Sequence, residues 1–195
     1  MVEVSMLSAE PAIVRCRHGA RSRSMPTGSA SNGKSESEDM SYSHDALTLS
    51  YRAATSEDAA LFLELERKIE VPRLYAPADS IEQATKEIAE SKLFFVIVDG
   101  HAIGTVAYRM RPGGDAYLSN LAVDPAFHRR GIARHALRFF FQACEGAARY
   151  SLVTHPENAP ALALYQSEGF AVEDRLENYF GDGEPRLLLG KPNRV

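Results

Sequence analysis

Residues 128–133 read His-Arg-Arg-Gly-Ile-Ala. This is a short basic stretch with a glycine at its centre, set between two periodic segments. Before it, Leu118, Leu121 and Val123 give an apolar pattern of strand type, closed by Asp124-Pro125. Proline has no N–H for a ladder, and it pushes the residue before it out of helical geometry. After it an amphipathic run begins. A strand, a tight basic loop and a helix start together make an anion site. The first N–H groups of a helix have no internal partner and carry the positive end of its dipole. Gly131 and the small Ala133 let a phosphate approach the main chain closely, and Arg129 and Arg130 add charge beside it. The predicted chemistry is phosphate or diphosphate binding by backbone.

The elements that must hold this loop follow from the rest of the chain. Residues 47–53 (LTLSYRA) alternate as a strand. Thr55, Ser56, Glu57 and Asp58 form an N-cap region, and Leu61, Phe62, Leu65 and Ile69 then recur at helical spacing. Pro72 and Pro77 interrupt the chain, and Ser80 caps a second helix with Ile81, Ala84 and Ile88 on one face. The connection holding Arg73, Leu74 and Tyr75 is either one wall of a substrate groove or a solvated link. Residues 93–98 (LFFVIV) are a continuous apolar strand, and Asp99-Gly100 turns it into a second strand over 101–110. Residues 112–115 (PGGD) turn again into a third, 116–123. Ile132, Leu137, Phe140, Phe141 and Cys144 mark the buried face of the next helix, which ends near Gly146. Residues 150–154 (YSLVT) form a strand parallel to the preceding one, because a helix separates the two. Asn158 caps a helix that stops at Gly169. Residues 170–180 and 185–190 pair as the last two strands across 181–184 (GDGE).

Composition bounds the function. The chain has 195 residues, 45% hydrophobic and 25% charged, as in a globular protein. A net charge of −4 argues against bulk nucleic-acid binding, which needs a basic face. No apolar run approaches the ~20 residues needed to span a membrane. Cys16 and Cys144 lie far apart and read as free thiols of a reducing compartment, so a cytoplasmic protein is expected.

Residues 1–46 read as a disordered tail, followed by a single domain over 47–195. The tail holds ten serines and three glycines and has no sustained apolar period. Arg15, Arg17, Arg21 and Arg23 among serines also fit a transit peptide, against which Glu3 and Glu10 count. Met40 offers an internal start.

The element order β-α-α-β-β-β-α-β-α-β-β, with two sequence blocks, resembles the GNAT N-acetyltransferase superfamily over residues 46–191. The family's acyl-CoA loop, Gln/Arg-x-x-Gly-x-Gly/Ala, is matched by His128, Arg129, Arg130, Gly131, Ile132 and Ala133, with His128 departing at the first position. A second block, Asn-x-x-Ala-x-x-Leu-Tyr-x-x-x-Gly-Phe, is complete in Asn158, Ala161, Leu164, Tyr165, Gly169 and Phe170. The resemblance implies an α/β (α+β) fold whose mixed central sheet is flanked by helices and splayed between the fourth and fifth strands of that order. It implies acetyl-CoA as co-substrate, and no metal. Within the family the similarity is to ribosomal-protein-alanine and protein N-terminal acetyltransferases.

By that resemblance, the splayed strand at Leu121, Ala122 and Val123 contacts the cofactor, and an N–H near Leu121 faces the thioester carbonyl. Tyr165 protonates the leaving thiolate in a direct attack by the amine. Asn158 contacts the cofactor arm, caps its own helix, or does both. Relatives often carry a glutamate base on the strand before Asn158, where this chain has Val153. His155 is the nearest titratable candidate, unless it is only a turn residue; Asp174, Glu177 and Tyr179 are further ones. Phe94, Phe95, Tyr108 and Phe170 are candidates to line the acyl region. The implied acceptor is an amine or peptide, bound by a monomer or a homodimer. Two other readings compete. One is a non-catalytic acyl-CoA-binding or sensing module of the same fold, kept open by Val153; the other is a peptide-binding scaffold without cofactor.

Overall fold

The computed structural model describes residues 49–69, 74 and 77–193, and the backbone of a short strand at Ile13–Arg15. Ile13–Arg15 falls within the stretch expected to be a disordered tail; the other residues of 1–46, Cys16 among them, and Leu47, Pro72, Arg73 and Tyr75 lie outside the described residues. In chain order the strands are β1 (Ile13–Arg15), β2 (Leu49–Ala53), β3 (Lys92–Val98), β4 (His101–Arg111), β5 (Asp115–Val123), β6 (Arg149–Thr154), β7 (Ala171–Leu176) and β8 (Arg186–Pro192). The helices are α1 (Ala59–Ile69), α2 (Ile81–Glu90), α3 (Ile132–Ala143) and α4 (Ala159–Ser167). One sheet runs β1-β2-β3-β4-β5-β6-β8-β7. Among the described residues every pairing is antiparallel except β5 with β6, which is parallel across α3 as expected.

The sheet is covered on both faces, which is why β3 reads as an unbroken apolar run. Its residues alternate between two cores. Leu93 and Phe95 pack with Phe62, Leu65 and Ala84 from α1 and α2. Val96 and Val98 pack with Tyr51, Val106, Leu137 and Phe140 on the α3 side. Tyr51 stacks on Phe139 with ring centroids 4.0 Å apart.

Local sequence sets the helix ends. Asp58 accepts from the Thr55 N–H at 2.8 Å and from Thr55 Oγ1 at 2.9 Å, and it pairs with Arg52 at 2.8 Å. The start of α1 is thus anchored to β2. Ser80 Oγ accepts from the Gln83 N–H at 3.3 Å. The α2 face differs from expectation: Ala84 is buried but Ile81 is exposed. Strand β7 also stops sooner than the expected residue 180, at Leu176. Asn178 adopts φ 52° and its Oδ1 accepts from the Gly183 N–H at 2.7 Å, so 177–183 curl into a self-bonded loop.

The central feature is how β5 and β6 part. They pair only from Asp115↔Arg149 to Leu118↔Leu152. On its other side β5 stays paired with β4 up to Val123, but the register jumps: Tyr108 faces Leu118 and Ala107 faces Asn120. Ser119 is therefore a bulge residue, and a bulge bends and twists its strand. Beyond it β5 follows β4 while β6 follows β8 as far as Thr154↔Leu187. This is the splay expected between the fourth and fifth strands of the domain.

Candidate active site

The splay opens a cavity of about 450 Å³. Leu118, Ser119, Asn120 and Leu121 form one wall and Leu152, Val153, Thr154 and His155 the other; Asn158, Ala161 and Tyr165 of the α4 segment close a third side. Glu66 of α1, Glu87 and Glu90 of α2 and Arg109 of β4 border the far end, with Leu74 between the helices and Phe180 and Arg186 at the last loop.

Asn158 caps α4 as expected, its Oδ1 accepting from the Ala161 N–H at 3.3 Å. Pro160 is tolerated in the first turn because no intrahelical bond needs its missing N–H. Gly169, at φ 92°, ends the helix, and Phe170 N–H bonds back to the Tyr165 carbonyl at 3.0 Å. Capped at both ends, this short helix turns one large side chain inward: Tyr165, 8% exposed, edge-on to Phe170. Burial raises the Tyr165 phenol above its ordinary pKa. It therefore keeps its proton at neutral pH, the state a donor needs.

His155 is 1% exposed. Its Nδ1 accepts the Glu157 N–H at 3.1 Å, so the ring proton sits on Nε2, which faces Glu184 Oε2 at 3.3 Å. His155 thus links the end of β6 to the β7–β8 loop. That loop has a second anchor in Arg186, buried, with Nη2 on Asp182 at 2.5 Å and its guanidinium 5.2 Å from the Phe180 ring centroid. At the far end, Arg109 Nη2 donates to Glu87 at 2.5 Å, and Ser119 Oγ donates to the same carboxylate at 3.1 Å.

The basic loop lies beyond the cavity, at the other end of the opened strand. Asp124 accepts from the Ala126 N–H at 2.8 Å and starts a single 3₁₀ turn, Pro125–Phe127. The departure at the motif's first position has a structural use: the His128 Nε2 hydrogen bonds the Val123 carbonyl at 2.7 Å, tying loop to strand. Arg129 at φ 65° and Gly131 at φ 78° are both left-handed, and such turns gather backbone N–H groups into a concave nest for anions. The first bond of α3 runs from His135 N–H to Gly131 carbonyl at 3.1 Å, so the N–H groups of Ile132, Ala133 and Arg134 precede the ladder. A Cβ placed on Gly131 would meet nothing within 4 Å, so the hollow is open. Arg134 Nε meets Glu168 at 3.0 Å and fixes α3 against the end of α4.

Of the sequence-predicted residues, Leu121, His155, Asn158 and Tyr165 come together around the cavity. Ala122 and Val123 are buried in the β4–β5 ladder, and His128, Arg129, Arg130, Gly131, Ile132 and Ala133 form the separate nest. Asp174, Glu177 and Tyr179 are exposed and do not border the cavity. The aromatic expectation also fails. Phe94, Tyr108 and Phe170 pack into the α3-side core and Phe95 beneath α1. Strand alternation decides the faces of Phe94, Phe95 and Tyr108, and no signal in an unbroken apolar run such as 93–98 says which face is the open one. Glu66, Glu87, Arg109 and Arg186 were missed, because each reads locally as an ordinary helix or strand charge. Among the described residues no His, Cys, Asp or Glu cluster suits a metal ion.

The sequence signature of the Acetyltransferase (GNAT) family matches residues 59–170. The chain belongs to the GNAT family. The matched span runs from α1 to Phe170 and so includes the bulge, the nest and Tyr165. The domain is 40% identical over 68 residues to a [ribosomal protein bS18]-alanine N-acetyltransferase of Salmonella typhimurium, covering 34% of this chain and 46% of that one. The chain spans about half the length of the first such relatives it matches. Among solved structures, the GNAT domain superposes on the ribosomal-protein-S18-alanine N-acetyltransferase from Escherichia coli with a TM-score of 0.63 and 23% identity, over 76% of this chain and 96% of that one. It superposes on the PaiA N-acetyltransferase from Thermoplasma acidophilum, in complex with coenzyme A, with a TM-score of 0.61 and 19% identity, over 75% and 99%. Both likenesses establish the fold.

Proposed function

We propose that the protein transfers an acetyl group from acetyl-CoA to a primary amine, with a protein N-terminus or a lysine side chain as acceptor, in the cytoplasm. The observation that carries this reading is the shared strand. β5 leads from an opened gap in the sheet, bordered by Tyr165, to a backbone nest that suits a diphosphate. A long ligand with a reactive group at one end and phosphates at the other fits that arrangement. The names of the relatives, which act on a ribosomal-protein alanine, support the acceptor class.

When bound, the co-substrate supplies an activated thioester. The chain's residues do the rest. N–H groups of 131–134 and the charges of Arg129 and Arg130 hold the diphosphate. Past Leu118 the edge of β5 no longer bonds β6, so its backbone groups are available to an amide-rich arm. The Leu121 N–H meets the negative charge that develops on the carbonyl oxygen. Tyr165 gives its proton to the departing sulfur. Val153 cannot take the amine's proton, so we assign that step to the Glu184 carboxylate, which the His155 Nε2–H holds in place, reached through water. Asn158 serves as cap and as contact for the cofactor arm.

Purified protein mixed with acetyl-CoA and a panel of peptides with free N-termini, N-terminally blocked lysine peptides and polyamines tests the reading. Free thiol should appear, with one amine class heavier by an acetyl group. Uptake of acetyl-CoA with no turnover across the panel would instead favour the binding-module reading that Val153 keeps open.

A further inference from the structure

Glu66 is 1% exposed, sits on the buried face of α1, and yet borders the cavity. A buried carboxylate must be hydrogen-bonded or it destabilises the fold. Its Oε1 accepts from Asn120 Nδ2 at 3.2 Å, joining α1 to β5. Asn120, 8% exposed, has its other end occupied too: Oδ1 accepts from Thr105 Oγ1 at 2.8 Å, and Thr105 on β4 is fully buried. One line of side chains therefore runs from α1 through β5 to β4.

The location gives that line a task. Asn120 follows the bulge residue Ser119 and precedes Leu121. The peptide between Asn120 and Leu121 carries the N–H assigned above to the thioester oxygen. Its β6 side lost its ladder at Leu118, so nothing in the sheet fixes that side of the strand. A carboxylate accepts and does not donate, so Glu66 sets which end of the Asn120 amide points to α1 and which to Thr105. With both ends held, the Asn120 Cα–Cβ direction is fixed, and with it the peptide plane.

The geometry points to Glu66 and Thr105 as positioning residues that clamp Asn120 and thereby aim the Leu121 N–H. The clamp rests on the acetyl-transfer reading and adds to it what holds the donor still. Preorganised donors matter because they need no rearrangement as charge develops.

The test uses Glu66→Met, which keeps the side-chain length but removes the acceptor, and Thr105→Val, which removes the donor, each checked by thermal melting against the full wild-type chain. In ¹H–¹⁵N NMR, acetyl-CoA should move the Leu121 amide downfield in the wild type. That shift should be at least halved in both variants, while the amides of 131–134 respond as before. With peptide acceptor, kcat should fall about tenfold while the acetyl-CoA Kd stays within twofold and the pH profile keeps its shape. An unchanged Leu121 response in either folded variant overturns the clamp. So does loss of the acid limb in Glu66→Met alone, which would make Glu66 the base. If the amides of 131–134 fail to respond even in the wild type, the cofactor reading itself falls and the clamp with it. If Glu66→Met does not fold, Thr105→Val carries the same readouts.

Discussion

The two ends of the opened strand are built differently. The nest at 128–134 is made of consecutive residues, and its chemistry is mostly main chain: left-handed turns at Arg129 and Gly131, then helix N–H groups without partners. The far wall of the cavity is made of side chains from separate elements: Glu66 from α1, Glu87 from α2, Arg109 from β4 and Arg186 at the start of β8. A contiguous backbone site leaves its signature in a short run of sequence. A wall gathered by tertiary packing leaves none. The first should bind the constant part of the chemistry, and the second should select what varies.

Substitutions can break this division. Tyr165→Phe, between the two ends, should have the largest effect: kcat falls about 100-fold, in the range of lost general acid catalysis, with the CoA Kd within twofold. Thiol release and calorimetry together check it, and equal losses in both would mean that Tyr165 only packs. Gly131→Val comes next. A β-branched residue at φ 78° is strained by about 1–2 kcal/mol. CoA affinity should drop about tenfold while the acceptor KM is unmoved. His155→Gln is smaller and sharper. It should lower kcat about fivefold, because Glu184 loses the Nε2–H that holds it. A rise in acceptor KM with kcat intact would reduce His155 to an anchor for the β7–β8 loop.

The smallest effect concerns stability. The hydrogen bond from Arg52 holds the Asp58 carboxyl down at about 2. A carboxylate with a depressed pKa stabilises the fold fully above its unfolded value, about 3.9, and loses that contribution as pH falls toward about 2. Asp58→Asn should therefore cost about 1 kcal/mol at neutral pH, solvent screening included, and remove that part of the acid sensitivity below about pH 4. Since Asp58 anchors the start of α1, urea melts should show the loss while CoA affinity stays unchanged.

How much was readable from sequence follows the same division. The succession of helices and strands from β2 on, the parallel crossover around α3, the Asn158 cap and the Gly169 stop were legible because turn residues, caps and periodicity act locally. The nest was legible because Gly131 and its neighbours are adjacent. The splay was expected from resemblance, but the Ser119 bulge that produces it was not, since a bulge shows only in register. Glu66 looked like one more helix charge beside Arg67, and only the fold shows it buried against Asn120. The early end of β7 was hidden because Asn178 bonds within its own loop instead of extending the ladder.

Isothermal titration of the purified chain with coenzyme A bears most directly on the central claim, that backbone amides at the head of α3 grip a diphosphate. One saturable site per chain is expected, with affinity weakened about tenfold by Gly131→Val and less by Arg129→Ala. A folded protein that takes up no coenzyme A, or binds it equally well with Gly131 replaced, would contradict the account.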